Sequence, residues 1–327
     1  MIRVAIAARG TTRASVGMRA YTRALLERLP RVAPDIDLIP VGAPLALHPL
    51  ALRLARPHLV HLPYLEVAPL VPRPYVAMVH DLIHLRFPAL FSAATAAYWR
   101  LVAAPLYRHA ARLLVSDPRV AADCVELLGV APERLRVVPL GYGDAVPEAE
   151  PWAAQRPYAF YAGNHRAHKG LETLFAAWAA LPDELALDLV LTGRDEPALR
   201  SAYVRKNGTI AFVGELDDAT LARRYRGALA YVQPSLAEGF GIPALEAAVA
   251  GTPVLATTSS VPAPVAPFAQ TFAPRDAAAL AALLEVLLHD PAPARARAAE
   301  GVAELRAYTW DRFAAETAAV YREVVCP

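Results

Sequence analysis

Short runs of consecutive apolar residues, separated by helix-like stretches, constrain the fold of this 327-residue chain most strongly. Such runs are apolar at nearly every position, as is typical of parallel strands that are buried on both faces. Their alternation with helical stretches predicts two consecutive doubly wound α/β domains. The predicted strands are Ile2–Ala8, Asp37–Val41, Leu59–Leu62, Tyr75–Val79, Arg112–Ser116, Leu135–Leu140, Tyr158–Ala162, Leu187–Thr192, Thr209–Val213, Leu229–Gln233 and Pro253–Thr257.

The stretch from Gly143 to Pro151 is polar and contains proline, which predicts a linker between the two domains. We therefore expect one domain over residues 1–148 and a second over residues 149–308. Two domains of this kind leave a cleft, and ligands bind outside the carboxyl ends of the strands. The motifs described below all follow predicted strands.

Charge and composition exclude several classes of function. Residues 1–150 contain 17 Arg against 12 acidic residues, but no basic cluster is dense enough to predict nucleic-acid binding. This excess leaves peripheral contact with an anionic membrane surface open. The two cysteines form neither a disulfide framework nor a metal-ligand spacing, and no signal peptide is recognised, so we expect a cytoplasmic protein. The sequence contains no uninterrupted run of 18 apolar residues, so no membrane-spanning helix is predicted.

The segment from Gln233 to Ala247 carries the most specific motif, with two carboxylates at Glu238 and Glu246. A glycine-containing loop follows the strand, and Pro243 stands where the first residues of a helix are expected. Glycines let backbone N–H groups approach a ligand closely, and a helix N-terminus favours the negative charge of a diphosphate. Carboxylate oxygens are suitable acceptors for sugar hydroxyls.

A second strand–loop–helix segment, from Tyr161 to Gly170, places Lys169 at an expected helix start. A cation there opposes the helix dipole, which indicates a nearby anion. The chain uses arginine almost everywhere else, and a lysine supplies a compact point charge that suits a phosphate. The neighbouring pair His165 and His168 has no carboxylate or cysteine at a fitting spacing, so we expect no metal site.

A third segment, Val76 to Pro88, places His80 and Asp81 at the carboxyl end of a strand. A single histidine is more often a packing or capping residue than a site residue. His61, one strand earlier, is a second candidate of the same kind. A further candidate, Arg194, follows the strand that ends near Thr192.

These motifs resemble those of retaining glycosyltransferases of family 4, whose GT-B fold has two Rossmann-like domains. The string Glu238-Gly239-Phe240-Gly241-Ile242-Pro243 with Glu246 resembles the family's E-x7-E region, and residues Gly163 to Gly170 resemble its phosphate-binding loop. The string Val79-His80-Asp81-Leu82 resembles a segment common in its sugar transferases. The resemblance covers nearly the whole chain, including a final segment, residues 309–327, that in the family returns to the first domain.

The resemblance implies a role for each matching residue. Glu238 would contact the donor sugar, Glu246 the nucleotide ribose, and the loop Gly239, Phe240, Gly241 and Ile242 the sugar and diphosphate. Lys169 would neutralise the departing diphosphate, with Gly163, Asn164, Arg166 and Arg194 nearby, and His80 would lie beside the reacting sugar carbon. Two departures are visible: Asn164 replaces the family's usual arginine, and only Gly17 is left of its N-terminal glycine cluster.

The predicted function is therefore metal-independent, retaining transfer of a hexose from a nucleotide diphosphate sugar to a glycan or lipid-linked acceptor. No cofactor is expected, and GDP-mannose is the favoured donor, with UDP-glucose and UDP-N-acetylglucosamine open. Two alternatives are a nucleotide-sugar epimerase of the same architecture and a non-catalytic partner subunit that binds a nucleotide sugar.

Overall fold

The computed structural model describes residues 1–7, 16–43, 47–64 and 70–326. The chain divides into two compact units, Met1–Gly141 with Tyr308–Pro327 and Tyr142–Ala307. Each unit contains a six-stranded sheet whose paired strands all run parallel. This confirms the predicted class of two doubly wound α/β domains.

The first unit has the strand order β2-β1-β3-β4-β5-β6. Its central strands are buried along their whole length, which explains their continuous apolar sequences. The helical segment from Ala93 to His109 contains an internal π-helical turn at Trp99–Ala103. The elements are β1 Ile2–Ala7, α1 Val16–Val32, β2 Ile36–Val41, α2 His48–Leu54, β3 Leu59–Leu62, β4 Tyr75–Val79, α3 Ile83–Arg86, α4 Ala93–Tyr98, α5 Ala104–His109, β5 Arg112–Val115, α6 Pro118–Leu128 and β6 Leu135–Val137.

The second unit has the strand order β12-β11-β10-β7-β8-β9. Strand β12 was not predicted, because its sequence Gln-Thr-Phe contains no apolar run. It pairs in parallel with β11 at the edge of the sheet. The elements are β7 Tyr158–Tyr161, α7 Leu171–Ala179, β8 Asp188–Leu191, α8 Pro197–Ala202, β9 Ile210–Phe212, α9 Asp218–Gly227, β10 Ala230–Gln233, α10 Ile242–Val249, β11 Val254–Thr257, β12 Gln270–Phe272, α11 Ala277–His289 and α12 Ala292–Leu305.

The last helix, α13 Trp310–Val325, packs within the first unit. Its Phe313 is fully buried, and its Glu323 is ion-paired with Arg112 and Arg136 on β5 and β6. Its Tyr321 hydroxyl lies 2.7 Å from Nδ1 of His61. A segment that is distant in sequence is thus part of the core of the first unit.

His61 lies in the core of the first unit rather than at the surface of a site. Its ring is hydrogen-bonded on one side to Tyr321 and on the other to the Tyr21 hydroxyl, at 3.0 Å from Nε2. Burial lowers the pKa of His61 to about 3, so the ring is neutral at physiological pH. The interpretation of His61 as a site candidate is replaced by a structural role that joins α1, β3 and α13.

The chain passes between the units at Gly141 and Tyr142, ahead of the boundary drawn from composition at residue 148. The polar segment that follows is held by the second unit. The Gly143 N–H donates to Glu246 Oε1 at 3.1 Å, and Val146 is only 3% exposed. Composition alone cannot reveal these contacts, since their partners lie far along the sequence.

Among the described residues, no single helix is long and apolar enough to cross a bilayer. The helices α11 and α12 reach that length and composition only as a pair bent by 97°.

We expect Tyr321→Phe to destabilise the first unit, because it leaves a ring nitrogen of the buried His61 without its partner. The cost of such an unsatisfied group is about 1–3 kcal/mol. Urea titration should show this loss in the free energy of unfolding. The matched variant Tyr203→Phe, at a partly exposed tyrosine whose ring contact with Phe175 a phenylalanine retains, should change it by less than about 0.5 kcal/mol. Equal stability of the two variants would contradict the role assigned to the His61 hydrogen bonds.

Candidate functional site

The two sequence motifs of the second unit lie at the point where its strand order reverses. Strands β7 and β10 are neighbours, while β8 and β9 extend the sheet on one side and β11 and β12 on the other. The loops that follow β7 and β10 therefore leave the same edge of the sheet side by side. In doubly wound sheets this position is the usual place of a ligand.

Backbone contacts hold these two loops together. Gly170 has a φ of +66°, and a Cβ there would overlap the carbonyl oxygen of Pro234. The Leu236 N–H donates to the His168 carbonyl at 2.7 Å. Only glycine permits both this conformation and this approach, so Gly170 fixes the distance between the loops.

Lys169 and Glu238, one on each loop, form an ion pair. The lysine Nζ lies 2.7 and 2.9 Å from the two carboxylate oxygens, and the side chains are 16% and 13% exposed. The Ser235 hydroxyl also donates to Glu238 at 2.6 Å. Burial alone would raise the pKa of Glu238, but Lys169 and Ser235 outweigh burial and hold it below its usual value. The structure thus brings together two residues that were predicted separately.

The remaining predicted residues of the β7 loop shape its backbone. The Gly163 N–H donates to Thr192 Oγ1 at 2.9 Å, and the Tyr161 hydroxyl donates to the Asn164 carbonyl at 2.6 Å. The side chain of Asn164 accepts from the Arg166 N–H at 3.2 Å. The Arg166 side chain itself is exposed. Gly163 and Asn164 therefore position the loop, while Arg166 extends into solvent.

Helix α10 begins directly after the β10 loop, with Gly241 as its N-cap at a φ of +92°. A Cβ on Gly241 would lie 3.0 Å from the amide nitrogen of Gln233, which donates to the Ser260 carbonyl. Phe240 is 4% exposed and anchors the loop, whereas Gly239 and Ile242 are half-buried. No acidic residue lies in the first turn of α10, so no carboxylate there offsets the positive end of the helix dipole.

Glu246 lies further along α10 and is partly buried. Burial raises the pKa of its carboxyl group to about 7, although the Tyr225 hydroxyl and the Gly143 N–H oppose the shift. Among the described residues, no cation lowers the pKa of Glu246 in the way that Lys169 lowers that of Glu238. The two carboxylates of the motif therefore have pKa values that are shifted in opposite directions.

His165, which follows β7, has a structural position, and Arg194, which follows β8, lies at the surface. His165 is hydrogen-bonded to the Thr192 carbonyl at 2.8 Å, and its Nδ1 lies 3.6 Å from Glu196. The Arg194 side chain is 85% exposed and lies 3.3 Å from the same Glu196. Within the described part of the chain, no three His, Cys, Asp or Glu side chains form a metal-binding group.

His80 belongs to the first unit, where it follows β4. Its Nε2 donates to the Pro63 carbonyl at 2.8 Å, and its ring contacts Tyr21 edge-on at 5.0 Å. Burial lowers the pKa of His80, although the Pro63 carbonyl and Asp81 partly offset the shift. His80 is therefore a neutral ring whose Nδ1 carries a lone pair.

Gly17 is the second residue of α1. Residues 8–15, which precede α1, lie outside the described residues.

Sequence reasoning missed the residues that hold the site from behind. Ser235 orients Glu238, and the Thr257 hydroxyl donates to the Ser235 carbonyl at 2.6 Å. Gly143 contacts Glu246 from a segment that reads as a linker. Ser235 lies inside the quoted motif, but its sequence position carries no signal that distinguishes it from other loop serines.

Comparisons with known proteins give relatives for the second unit and for most of the chain. A family model described as Glycosyl transferases group 1 matches residues 144–304. The glycogen synthase of Mycobacterium tuberculosis is 30% identical over 288 residues, which cover 81% of this chain and 69% of that protein. The MMP alpha-(1->4)-mannosyltransferase of Mycolicibacterium hassiacum is 30% identical over 227 residues, which cover 67% and 55% of the two chains.

The chain spans about half the length of the first curated relatives that it matches, 46% and 55%. Among solved structures, it resembles HepE of Anabaena in complex with UDP and glucose. The TM-score is 0.76, the sequence identity is 15%, and the match covers 99% of this chain and 100% of the other. That likeness confirms the GT-B architecture.

The raised pKa of Glu246 predicts a pH-dependent stability. A carboxyl group that is protonated more readily in the folded state stabilises the fold less as pH rises from its usual pKa of 4.5 to about 7. The Glu246→Gln variant lacks this loss. Its free energy of unfolding, relative to that of wild type, should therefore increase as the pH rises across that window, by up to about 3 kcal/mol. Urea titrations at several pH values measure the difference. A pH-independent difference would contradict the raised pKa.

Proposed function

The chain belongs to the family of group 1 glycosyl transferases, and we propose that it transfers a hexose, with mannose favoured, from a nucleotide diphosphate sugar to a hydroxyl of a glycan or lipid-linked acceptor. Transfer is proposed to retain the anomeric configuration and to require no metal ion. The observation that carries the proposal is the Lys169–Glu238 pair beside the N-terminus of α10.

In this proposal the diphosphate of the donor binds Lys169 and the N–H groups at the start of α10. Both groups offer positive charge at one edge of the sheet. In the structure Glu238 neutralises Lys169. The diphosphate would therefore take over one or more of the lysine's three donors, and Glu238 would accept hydrogen bonds from hydroxyls of the donor sugar.

The proposed chemistry needs stabilisation of the departing nucleotide diphosphate. As the bond from the sugar to the diphosphate breaks, negative charge develops next to Lys169 and the dipole of α10, both of which are positioned before the reaction. Glu246 is assigned to the ribose, where its ionised form accepts hydroxyl hydrogens. His80 is assigned to the sugar, and its Nδ1 is free to accept a hydrogen bond because the Pro63 carbonyl holds the proton on Nε2.

Two kinds of relative support different donors. The MMP alpha-(1->4)-mannosyltransferase is named for mannose transfer, whereas the HepE structure contains UDP and glucose. We favour GDP-mannose because the first curated relatives are mannosyltransferases. We keep UDP-glucose and UDP-N-acetylglucosamine as the competing donors.

Lys169→Ala should lower the rate of transfer by about 10²–10³-fold, as expected when one key stabiliser of transition-state charge is lost. The matched control is Lys206→Ala, which removes the only other lysine of the chain and should leave the rate within about twofold. Single-turnover kinetics with saturating donor separate the chemical step from binding. Near-normal transfer by the Lys169 variant would remove this residue from the mechanism.

Glu238→Gln tests the division of roles within the pair. It keeps Lys169 for the diphosphate but removes the carboxylate assigned to the sugar. Calorimetry should therefore show weaker binding of GDP-mannose, by about tenfold, with little change for GDP. Equal losses for both ligands would show that Glu238 acts through Lys169 rather than through the sugar.

GDP-mannose should raise the melting temperature more than the two UDP sugars, since a ligand that binds the folded state stabilises it.

Transfer should continue in the presence of EDTA, and NMR of the product should show the anomeric configuration of the donor. Conversion of the donor sugar without any acceptor would instead identify an epimerase. Binding of a donor without transfer to any acceptor tested would favour the non-catalytic alternative.

A further inference from the structure

A second concave site lies at the opposite edge of the sheet from Lys169 and Glu238. A cavity of about 520 Å³ is lined by residues 151–152 and 154–157, by Arg226 and Gly227, by Ala250 and Gly251, and by Arg295. Pro157 and Gly251 precede β7 and β11, so the cavity is at the amino ends of the strands. Strands of four residues separate the two edges by roughly 13 Å. The motifs of the proposed donor site do not reach this cavity.

The wall of this cavity is firmly held. The Trp152 N–H donates to the Arg223 carbonyl at 2.9 Å, and the Arg224 guanidinium stacks 3.7 Å from the centre of the Trp152 ring. A Cβ on Gly227 would overlap the Trp152 backbone, so the segment 151–157 rests directly on this glycine. The shape of the cavity is therefore set by packing rather than by side chains that are free to rotate.

The cavity is lined by three arginines, Arg156, Arg226 and Arg295, and none of its lining residues is acidic. All three side chains are exposed. The second half of the chain carries more acidic than basic residues, 19 against 16 over residues 151–327. The lining of this cavity is therefore positively charged, although residues 151–327 carry a net negative charge.

The ends of nearby helices explain only one of these arginines. Arg226 lies in the last turn of α9, where a cation complements the helix dipole, and its Nη1 lies 3.3 Å from the Pro147 carbonyl. Arg295 lies in the first turn of α12, where a cation opposes the dipole and where the turn itself contains no acidic residue. The Asp290 carboxylate accepts from the Ala292 N–H at 3.0 Å at this end of the helix, but Asp290 does not line the cavity. Arg156 precedes a strand and belongs to no helix.

We propose that this cavity binds the phosphate groups of a small molecule that carries a di- or triphosphate. Arginine presents a planar fork of donors that matches phosphate oxygens, and three such forks around one cavity suit two or more phosphates. The volume is within the range of small-molecule sites. The bound anion relieves the mutual repulsion of Arg156, Arg226 and Arg295. This site is independent of the proposed transfer reaction.

The test uses inorganic pyrophosphate as the probe and titration calorimetry as the measurement. The protein carries Lys169→Ala, which weakens the competing diphosphate site at the other edge. Pyrophosphate should still bind this variant, and adding Arg156→Gln and Arg295→Gln should weaken binding by about tenfold or more. The matched control is Arg297→Gln. Arg297 is exposed on the same helix, α12, but does not line the cavity, so this change should leave binding within about twofold.

Any of three calorimetric results would overturn the proposal. They are the absence of pyrophosphate binding in the Lys169→Ala protein, unchanged binding after Arg156 and Arg295 are replaced, and an equal loss with Arg297→Gln. Arginine-dependent binding to vesicles of anionic phospholipid, without binding of pyrophosphate, would also overturn it by assigning the arginines to a membrane. Transfer from the nucleotide sugar, measured separately in the Arg156→Gln, Arg295→Gln protein, should be unchanged. If the wild-type protein does not transfer the sugar, that result would count against the proposed function alone and not against the phosphate site.

Discussion

The backbone contact between the β7 loop and the β10 loop is the constraint on which the candidate site depends. Because Gly170 has no side chain, the Pro234 carbonyl can approach its backbone, and the Leu236 N–H reaches the His168 carbonyl. This approach brings Lys169 within hydrogen-bond distance of Glu238. The parallel sheet supplies the other requirement, since β7 and β10 are adjacent where the strand order reverses. A side chain at residue 170 would separate the loops and, with them, the charges.

The electrostatics of the site follow from which carboxylate has a cationic partner. Glu238 and Glu246 are both withdrawn from solvent, and burial raises the pKa of each. Lys169 reverses this effect for Glu238, so that group stays ionised. Within the described part of the chain, the groups that oppose the burial of Glu246 are neutral, the Tyr225 hydroxyl and the Gly143 N–H, and its pKa is raised to about 7. If Glu246 accepts hydrogen bonds from ribose hydroxyls, binding of the ribose would weaken as the pH falls below neutrality, because the carboxyl group becomes protonated.

The sequence predicted those features that depend on local pattern. Continuous apolar runs identified the buried strands, and the positions of Lys169 and Glu238 after two of them predicted the site. Contacts between distant segments were beyond such reasoning: β12, Gln-Thr-Phe, has no apolar run and forms because it pairs with β11. His61 reads as a site histidine, but it lies in the core because Tyr321, near the other end of the chain, packs against it.

The same physical rule identifies both the candidate donor site and the basic cavity, and one contact distinguishes them. Lys169 lies two residues before α7 and Arg295 lies in the first turn of α12, so each places a cation near a helix N-terminus, where the helix dipole is unfavourable. For Lys169 the cost is offset within the protein, since Glu238 accepts from it through both oxygens. The lining of the cavity around Arg295 contains no carboxylate. Asp290 accepts from the Ala292 N–H at the start of α12, but it is not part of this lining. In our proposal an external anion pairs with Arg295 in the cavity, as Glu238 pairs with Lys169 at the other edge of the sheet.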